Sequence, residues 1–121
     1  MALRKILIVD DEADFVAVMR MRLEACGYEI FSADNGAEGL EVARRSLPDC
    51  ILLDIGMPGV DGFTFVTSMK QIPQLKNVPI IIVSGRGDEM KGIFSQEGVC
   101  DYLVKPFQTQ DLLDIIQKRI A

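Results

Sequence analysis

Histidine is absent from this chain, which removes histidine-based catalytic triads, histidine general bases and the usual nitrogen metal sites. Cysteine is scarce. Cys26, Cys50 and Cys100 lie too far apart for a C-x-x-C pair, and three thiols without histidine make no familiar four-ligand zinc set. Reduced, buried cysteines are the expectation. Ten glycines and five prolines are too few for a low-complexity or disordered segment. Basic residues form nothing larger than pairs such as Arg44-Arg45 and Lys118-Arg119, and the net charge is −5, so direct nucleic acid binding is disfavoured. Apolar runs such as Ile6 to Val9 and Ile80 to Val83 are four residues long, far short of a membrane span or a signal-peptide core. A cytoplasmic protein with no membrane partner is expected.

What remains is a chain of 121 residues with 49% apolar and 26% charged positions, the size of one domain spanning 1–121. Such a chain buries about two thirds of the surface its unfolded state exposes, enough for a core without disulfides or structural metal. Short β-branched runs alternate with helical patterns five times. Lys5 to Val9, Glu29 to Ser32, Cys50 to Leu53, Ile80 to Val83 and Asp101 to Val104 read as strands. The first, third and fourth are too uniformly apolar to have a wet face, which makes them interior parallel strands.

Between the strands, Phe15, Met19, Leu23 and Cys26 repeat at helical spacing up to Gly27, a natural stop. Asn35 followed by Glu38 reads as an N-cap with its capping-box partner, opening a helix that Pro48 closes. Phe63, Val66 and Met69 mark a third helix. The segment 88–97 reads as a short or frayed fourth, since its interior Gly92 costs ~1 kcal/mol relative to alanine. Thr109 is expected to cap a fifth, with Leu112, Leu113, Ile116 and Ile120 as its inner stripe. Right-handed crossovers then produce an α/β fold: a doubly wound (βα)5 sandwich, flavodoxin-like, with a parallel sheet of order 2-1-3-4-5.

Ligands of such folds bind beyond the carboxyl ends of the strands, where strand order reverses. Here that point lies between strands one and three. Strand one ends in Asp10-Asp11-Glu12, strand three in Asp54, strand four in Ser84 and strand five in Lys105-Pro106. Each residue has an ordinary reading as a turn former, a helix cap or a surface lysine; their joint delivery to one sheet edge is poorly explained by chance. Clustered carboxylates repel unless they take up protons or bind a cation. An all-oxygen donor set favours Mg2+, with Mn2+ as a substitute. Three carboxylates, one ammonium and one Mg2+ sum to zero charge, so an incoming phosphoryl group meets a neutral site. A carboxylate, a magnesium ion, a lysine and a hydroxyl equip a site for phosphoryl transfer. An aspartate side chain, with a reference pKa of ~3.9, needs no general base to attack phosphorus.

These residues closely resemble the receiver domains of two-component response regulators over nearly the whole chain. The landmarks are Ile6-Leu7-Ile8-Val9-Asp10-Asp11-Glu12, Leu53-Asp54-Ile55-Gly56-Met57-Pro58-Gly59-Val60-Asp61-Gly62, Val83-Ser84 and Asp101-Tyr102-Leu103-Val104-Lys105-Pro106-Phe107. The resemblance implies that Asp54 accepts phosphate from a phosphohistidine on a sensor histidine kinase or histidine phosphotransfer protein. It implies that Asp11, Asp54 and the Gly56 carbonyl bind Mg2+ directly and Asp10 through water, that Lys105 and Ser84 hold phosphoryl oxygens, and that the peptide before Pro106 is cis. It further implies a switch. Ser84 moves toward the phosphoryl group, Tyr102 rotates inward, and the surface of helix four, strand five and helix five changes for a downstream target protein or an output domain, with a monomer or weak dimer forming through that surface.

The interval from Ser84 to Lys105 is one residue shorter than usual in such domains, and Gly85-Arg86-Gly87 and Gly92 loosen the reporting region. Gly56 and Arg86 flank the expected path of hydrolytic water and are candidates for tuning the lifetime of the acyl phosphate. Ala17, Val18 and Met21, on the outer side of the first helix, are candidate contacts for the phosphodonor. Other readings fit less well. An aspartate-nucleophile phosphatase wants a second acid where Gly56 stands, and a Rossmann or P-loop binder wants glycines where Asp10-Asp11-Glu12 stand. A degenerate receiver serving only as an interaction module would not need Asp11, Asp54, Ser84 and Lys105 together. The domain is thus expected to signal rather than to turn over an external substrate, catalysing only its own aspartyl phosphorylation and dephosphorylation.

Overall fold

A computed structural model describes residues 3–56, 62–85 and 101–120. Five strands, β1 (Lys5–Val9), β2 (Glu29–Ala33), β3 (Cys50–Leu53), β4 (Ile80–Ser84) and β5 (Asp101–Val104), form one sheet of order β2-β1-β3-β4-β5. Every pairing is parallel, as expected. The helices are α1 (Ala13–Ala25), α2 (Gly36–Ser46), α3 (Gly62–Lys70) and α4 (Thr109–Ile120). The expected helix at 88–97 lies outside the described residues.

Period-two alternation divides the core between the sheet's faces. Leu7, Val9, Ile51, Leu53, Ile80 and Ile82 point to one face, where Val42 and Ala43 of α2 and Phe65, Val66 and Met69 of α3 cover them. Ile6, Ile8, Cys50, Leu52, Ile81 and Val83 point to the other, under Met19 and Leu23 of α1 and Leu112, Ile116 and Ile120 of α4. Strands β1, β3 and β4 are covered on both faces, the physical reason for their unbroken apolar sequences. The same packing buries Leu112, Ile116 and Ile120 but leaves Leu113 only half-buried.

Local signals set the helix ends. Gly27 follows α1 at φ 95°, the left-handed conformation that favours glycine. Asn35 Oδ1 accepts the Glu38 backbone N–H at 2.8 Å, satisfying an orphan donor at the start of α2. Leu47, just before Pro48, ends that helix with φ 50°. Two expectations need correcting. Thr109 is the first residue of α4 rather than the cap before it, and its hydroxyl accepts from the Arg22 guanidinium. Cys50 is buried in the sheet, but Cys26 is exposed, because it follows the last turn of α1 where that helix leaves the core.

Candidate functional site

The sheet's own ladder positions the site. The Asp10 N–H donates to Ala33 O of β2 at 3.0 Å, the Asp54 N–H to Val9 O of β1 at 2.9 Å, and the Lys105 N–H to Ser84 O of β4 at 2.8 Å. Each polar residue is therefore the first beyond its strand, with its backbone still held by a neighbour. The side chains stand over the carboxyl edge of the sheet, and the crossover between β1 and β3 leaves a crevice there.

Lys105 binds the group together. Its Nζ donates to Asp10 Oδ2 at 2.7 Å and to Glu12 Oε1 at 2.8 Å, and lies 3.5 Å from Asp54 Oδ2. The ammonium also sits 4.0 Å from the centroid of the Phe15 ring, which packs edge-on against Phe107 at 6.0 Å, so an aromatic quadrupole adds to the carboxylates' attraction. The Lys105–Pro106 peptide is cis, as the resemblance implies. Asp10 Oδ1 accepts the Glu12 N–H at 2.9 Å, and Asp54 Oδ1 accepts the Gly56 N–H at 2.7 Å. A Cβ at Gly56 would stand 3.2 Å from Asp54 Oδ1 and 3.7 Å from Ser84 Oγ, so Gly56, Asp54 and the fully buried Ser84 meet at one point.

Both partners of the central ion pair hold their protons more tightly than usual. At Asp10 burial is the largest influence and raises the pKa, helped by the nearby Asp54 charge, against the lowering effects of Lys105 and the Glu12 N–H. At Lys105 burial acts downward, but the hydrogen bonds to Asp10 and Glu12, with the charges of Asp10 and Asp54, outweigh it and raise the pKa. The ammonium is thus firmly charged. Asp10 carries its negative charge at a cost that a second cation would relieve.

Carboxylate oxygens of Asp10, Glu12 and Asp54 lie within 4.8 Å of one another, the group of possible metal ligands among the described residues. Oxygen donors alone at this spacing suit a hard divalent cation. Asp11 is exposed and stands outside that trio; with Asp10 it lines an adjoining cleft of about 490 Å3 that reaches Asp34 and Glu38. The remaining expected residues also have places. Tyr102 is half-buried and packs beside the α2/α3 core. Ala17, Val18 and Met21 are exposed on α1, while Arg86 lies outside the described residues. Sequence reasoning placed Glu12 among the strand-end acids without linking it to Lys105, and read Phe15 only as core. Neither link has a sequence signal, because the two partners come from opposite ends of the chain.

Comparison with known proteins agrees with this geometry. The family described as "Response regulator receiver domain" matches residues 6–117. Response regulator PleD of Caulobacter vibrioides is 40% identical over 105 residues, which are 84% of this chain but 23% of PleD, so the chain spans under a quarter of that relative's length. Protein PilH of Pseudomonas aeruginosa is 34% identical over 97% of this chain and 98% of its own. Among solved structures, the chemotaxis response regulator CheY4 of Vibrio cholerae aligns with a TM-score of 0.89 at 32% identity, covering 97% of this chain and 98% of that one. The receiver domain of sensor histidine kinase PA1611 from Pseudomonas aeruginosa, solved with a magnesium ion coordinated in its active-site cleft, aligns with a TM-score of 0.88 at 29% identity, covering 98% of each chain. With its parallel sheet of order 2-1-3-4-5 and its acids gathered at the strand ends, this chain belongs to the response regulator receiver domain family.

Proposed function

We propose that residues 1–121 act as a Mg2+-dependent phosphoacceptor domain in a phosphorelay, with Asp54 as the acceptor. The observation that carries the reading is the surroundings of Asp54: a buried carboxylate at a strand end, one oxygen on the Gly56 N–H at 2.7 Å and the other 3.5 Å from the Lys105 ammonium. An Asp54 oxygen attacks the phosphorus of a phosphohistidine. The new O–P bond forms as the P–N bond breaks, and the electron pair leaves on the donor's imidazole nitrogen. Lys105 neutralises charge on the transferring oxygens, and Ser84, at the neighbouring strand end, offers a hydroxyl to one of them.

Asp11 and Asp54, with the Gly56 carbonyl, would hold Mg2+ (or Mn2+) directly, Asp11 by side-chain rotation from the adjoining cleft, and Asp10 would hold it through water. The bound cation would offset the negative charge of the phosphoryl group and the carboxylates. Tyr102 would report the acyl phosphate through strand β5 to the surface it shares with α4, where a target protein or output domain, or a second copy in a weak dimer, would dock. A histidine kinase or phosphotransfer protein would dock across Ala17, Val18 and Met21. The setting is proposed to be cytoplasmic; among the described residues no helix is long and apolar enough to cross a membrane.

Incubation with acetyl phosphate, with and without Mg2+, followed by intact-mass measurement tests the reading. A metal-dependent gain of one phosphoryl group in wild type and none in Asp54→Ala is expected. No adduct on wild type would reduce the domain to an interaction module, and steady hydrolysis of unrelated phosphomonoesters would point to a phosphatase.

A further inference from the structure

Glu12 occupies the residue before α1, yet its side chain makes no capping hydrogen bond. Short acceptors such as Asp, Asn, Ser and Thr are preferred at that position. Its carboxylate reaches across the crevice to Lys105 Nζ at 2.8 Å, while its backbone N–H is tied to Asp10 Oδ1 at 2.9 Å. Lys105 therefore has two carboxylate partners of different kinds. The Asp10 side chain is 2% exposed and sits where a cation would bind, whereas the Glu12 side chain is 59% exposed at the rim.

We propose that Glu12 is a positioning residue for Lys105, retaining the ammonium at the mouth of the site once Asp10 and Asp54 are shared with a divalent cation. The inference rests on the phosphoacceptor reading above. A cation held by Asp10 and Asp54 repels an ammonium that now lies 2.7 Å and 3.5 Å from their oxygens. Without a second holder, Lys105 would swing into solvent and lose the place from which it meets a phosphoryl oxygen. Glu12 lets the ammonium exchange partners without leaving: an ammonium has three donors, and the Phe15 ring 4.0 Å away supports it throughout. Exposure suits this task, because a rim carboxylate keeps its reach and its water while the buried Asp10 is committed below. Glu12 is thus assigned to the lysine, although its oxygens lie close enough to Asp10 and Asp54 to count among metal ligands.

The test follows the lysine ammonium signals in 1H–15N spectra of wild type, Glu12→Ala and Glu12→Gln during MgCl2 titration, with the Lys105 signal assigned from Lys105→Arg and backbone amides reporting Mg2+ affinity. In wild type the Lys105 signal should persist, shifted, at saturating Mg2+. In Glu12→Ala it should be present without Mg2+, where Asp10 holds it, and vanish into solvent exchange with Mg2+. Glu12→Gln, whose amide oxygen still accepts, should recover part of it, and Mg2+ affinity should change less than about tenfold, 1.4 kcal/mol. Three results would overturn the proposal: a Lys105 signal that persists in Mg2+-loaded Glu12→Ala, equal loss with and without Mg2+, or a larger fall in affinity that makes Glu12 a ligand. A wild type whose backbone ignores Mg2+ would remove the phosphoacceptor reading and this proposal together, an outcome distinct from failure at Glu12 alone, which leaves the wild-type titration intact.

Discussion

Replacing Lys105 with methionine keeps an unbranched apolar stem beside Phe15 and removes only the charge. The Asp10 and Lys105 side chains are 2% and 12% exposed, so their contact counts as a buried pair, and removing one member of such a pair costs about 3–5 kcal/mol. The contact with the exposed Glu12 adds little, about 0–1 kcal/mol. Asp10 retains the Glu12 N–H, a hydrogen bond to a charged acceptor, which places the expected loss near the low end, about 3 kcal/mol. With a urea dependence of about 1–3 kcal/mol per molar for a small domain, the midpoint should fall by roughly 1–3 M at pH 7 without metal. The pH sets the sign of the next step. Asp10 already has a raised pKa, so in the folded state it takes up a proton more readily than in the unfolded chain, and stability is lost as pH rises through its folded value. Without Lys105 that value rises further, and the variant's deficit should shrink as the pH is lowered from 7 toward 4. Saturating Mg2+ should stabilise the variant more than wild type, because no ammonium competes for the carboxylates. Far-UV circular dichroism during urea unfolding measures all three effects. An unchanged midpoint in metal-free buffer would refute the assignment of Lys105 as the internal counter-ion.

Three further outcomes are expected. Gly39→Ala should destabilise by about 1 kcal/mol in urea unfolding: its Cβ would sit 3.0 Å from Val9 Cγ2 and 3.1 Å from Phe65 Cε2, and overpacking of about 1–3 kcal/mol outweighs a helix-propensity gain of about 1 kcal/mol; a stabilised variant would show that these side chains yield freely. Tyr28 has a pKa raised above 10.0, first by burial and then by the neighbouring thiols Cys26 and Cys50. The unfolded chain therefore ionises first, stability falls as pH rises above about 10, and Tyr28→Phe should flatten that part of the unfolding profile, with an unaltered slope as the contrary result. Gly56→Met should slow loss of the acyl phosphate several-fold in a time course of intact mass, since its Cβ would stand 3.2 Å from Asp54 Oδ1 and cover the approach of water; an unchanged decay would remove the tuning role of this position.

Much of the fold was legible because period and composition are local. Ile6 to Val9 and Ile80 to Val83 are apolar at every position, and only a strand covered on both faces requires that; both became interior strands. Asn35 and Gly27 carried helix-end signals whose chemistry acts within a few residues, and both operate. The convergence of Asp10, Asp54, Ser84 and Lys105 on one sheet edge was also readable, since in a parallel sheet every strand ends on the same side. The exposure of Cys26 was not, because a helical stripe does not say where its helix leaves the core.

The sequence alone therefore determined the order of elements, the faces they bury and which residue types arrive at the carboxyl edge, because each follows from backbone periodicity and short-range hydrogen bonding. Only the tertiary structure decided which of those groups touch. Glu12 and Phe15 meet Lys105 from about ninety residues away, and Asp11, next to two residues that bind the lysine, faces another cleft. Those pairings depend on side-chain reach across a crevice whose width is set by the packing of β1, β3 and β5 in one sheet, a distance that no local pattern encodes.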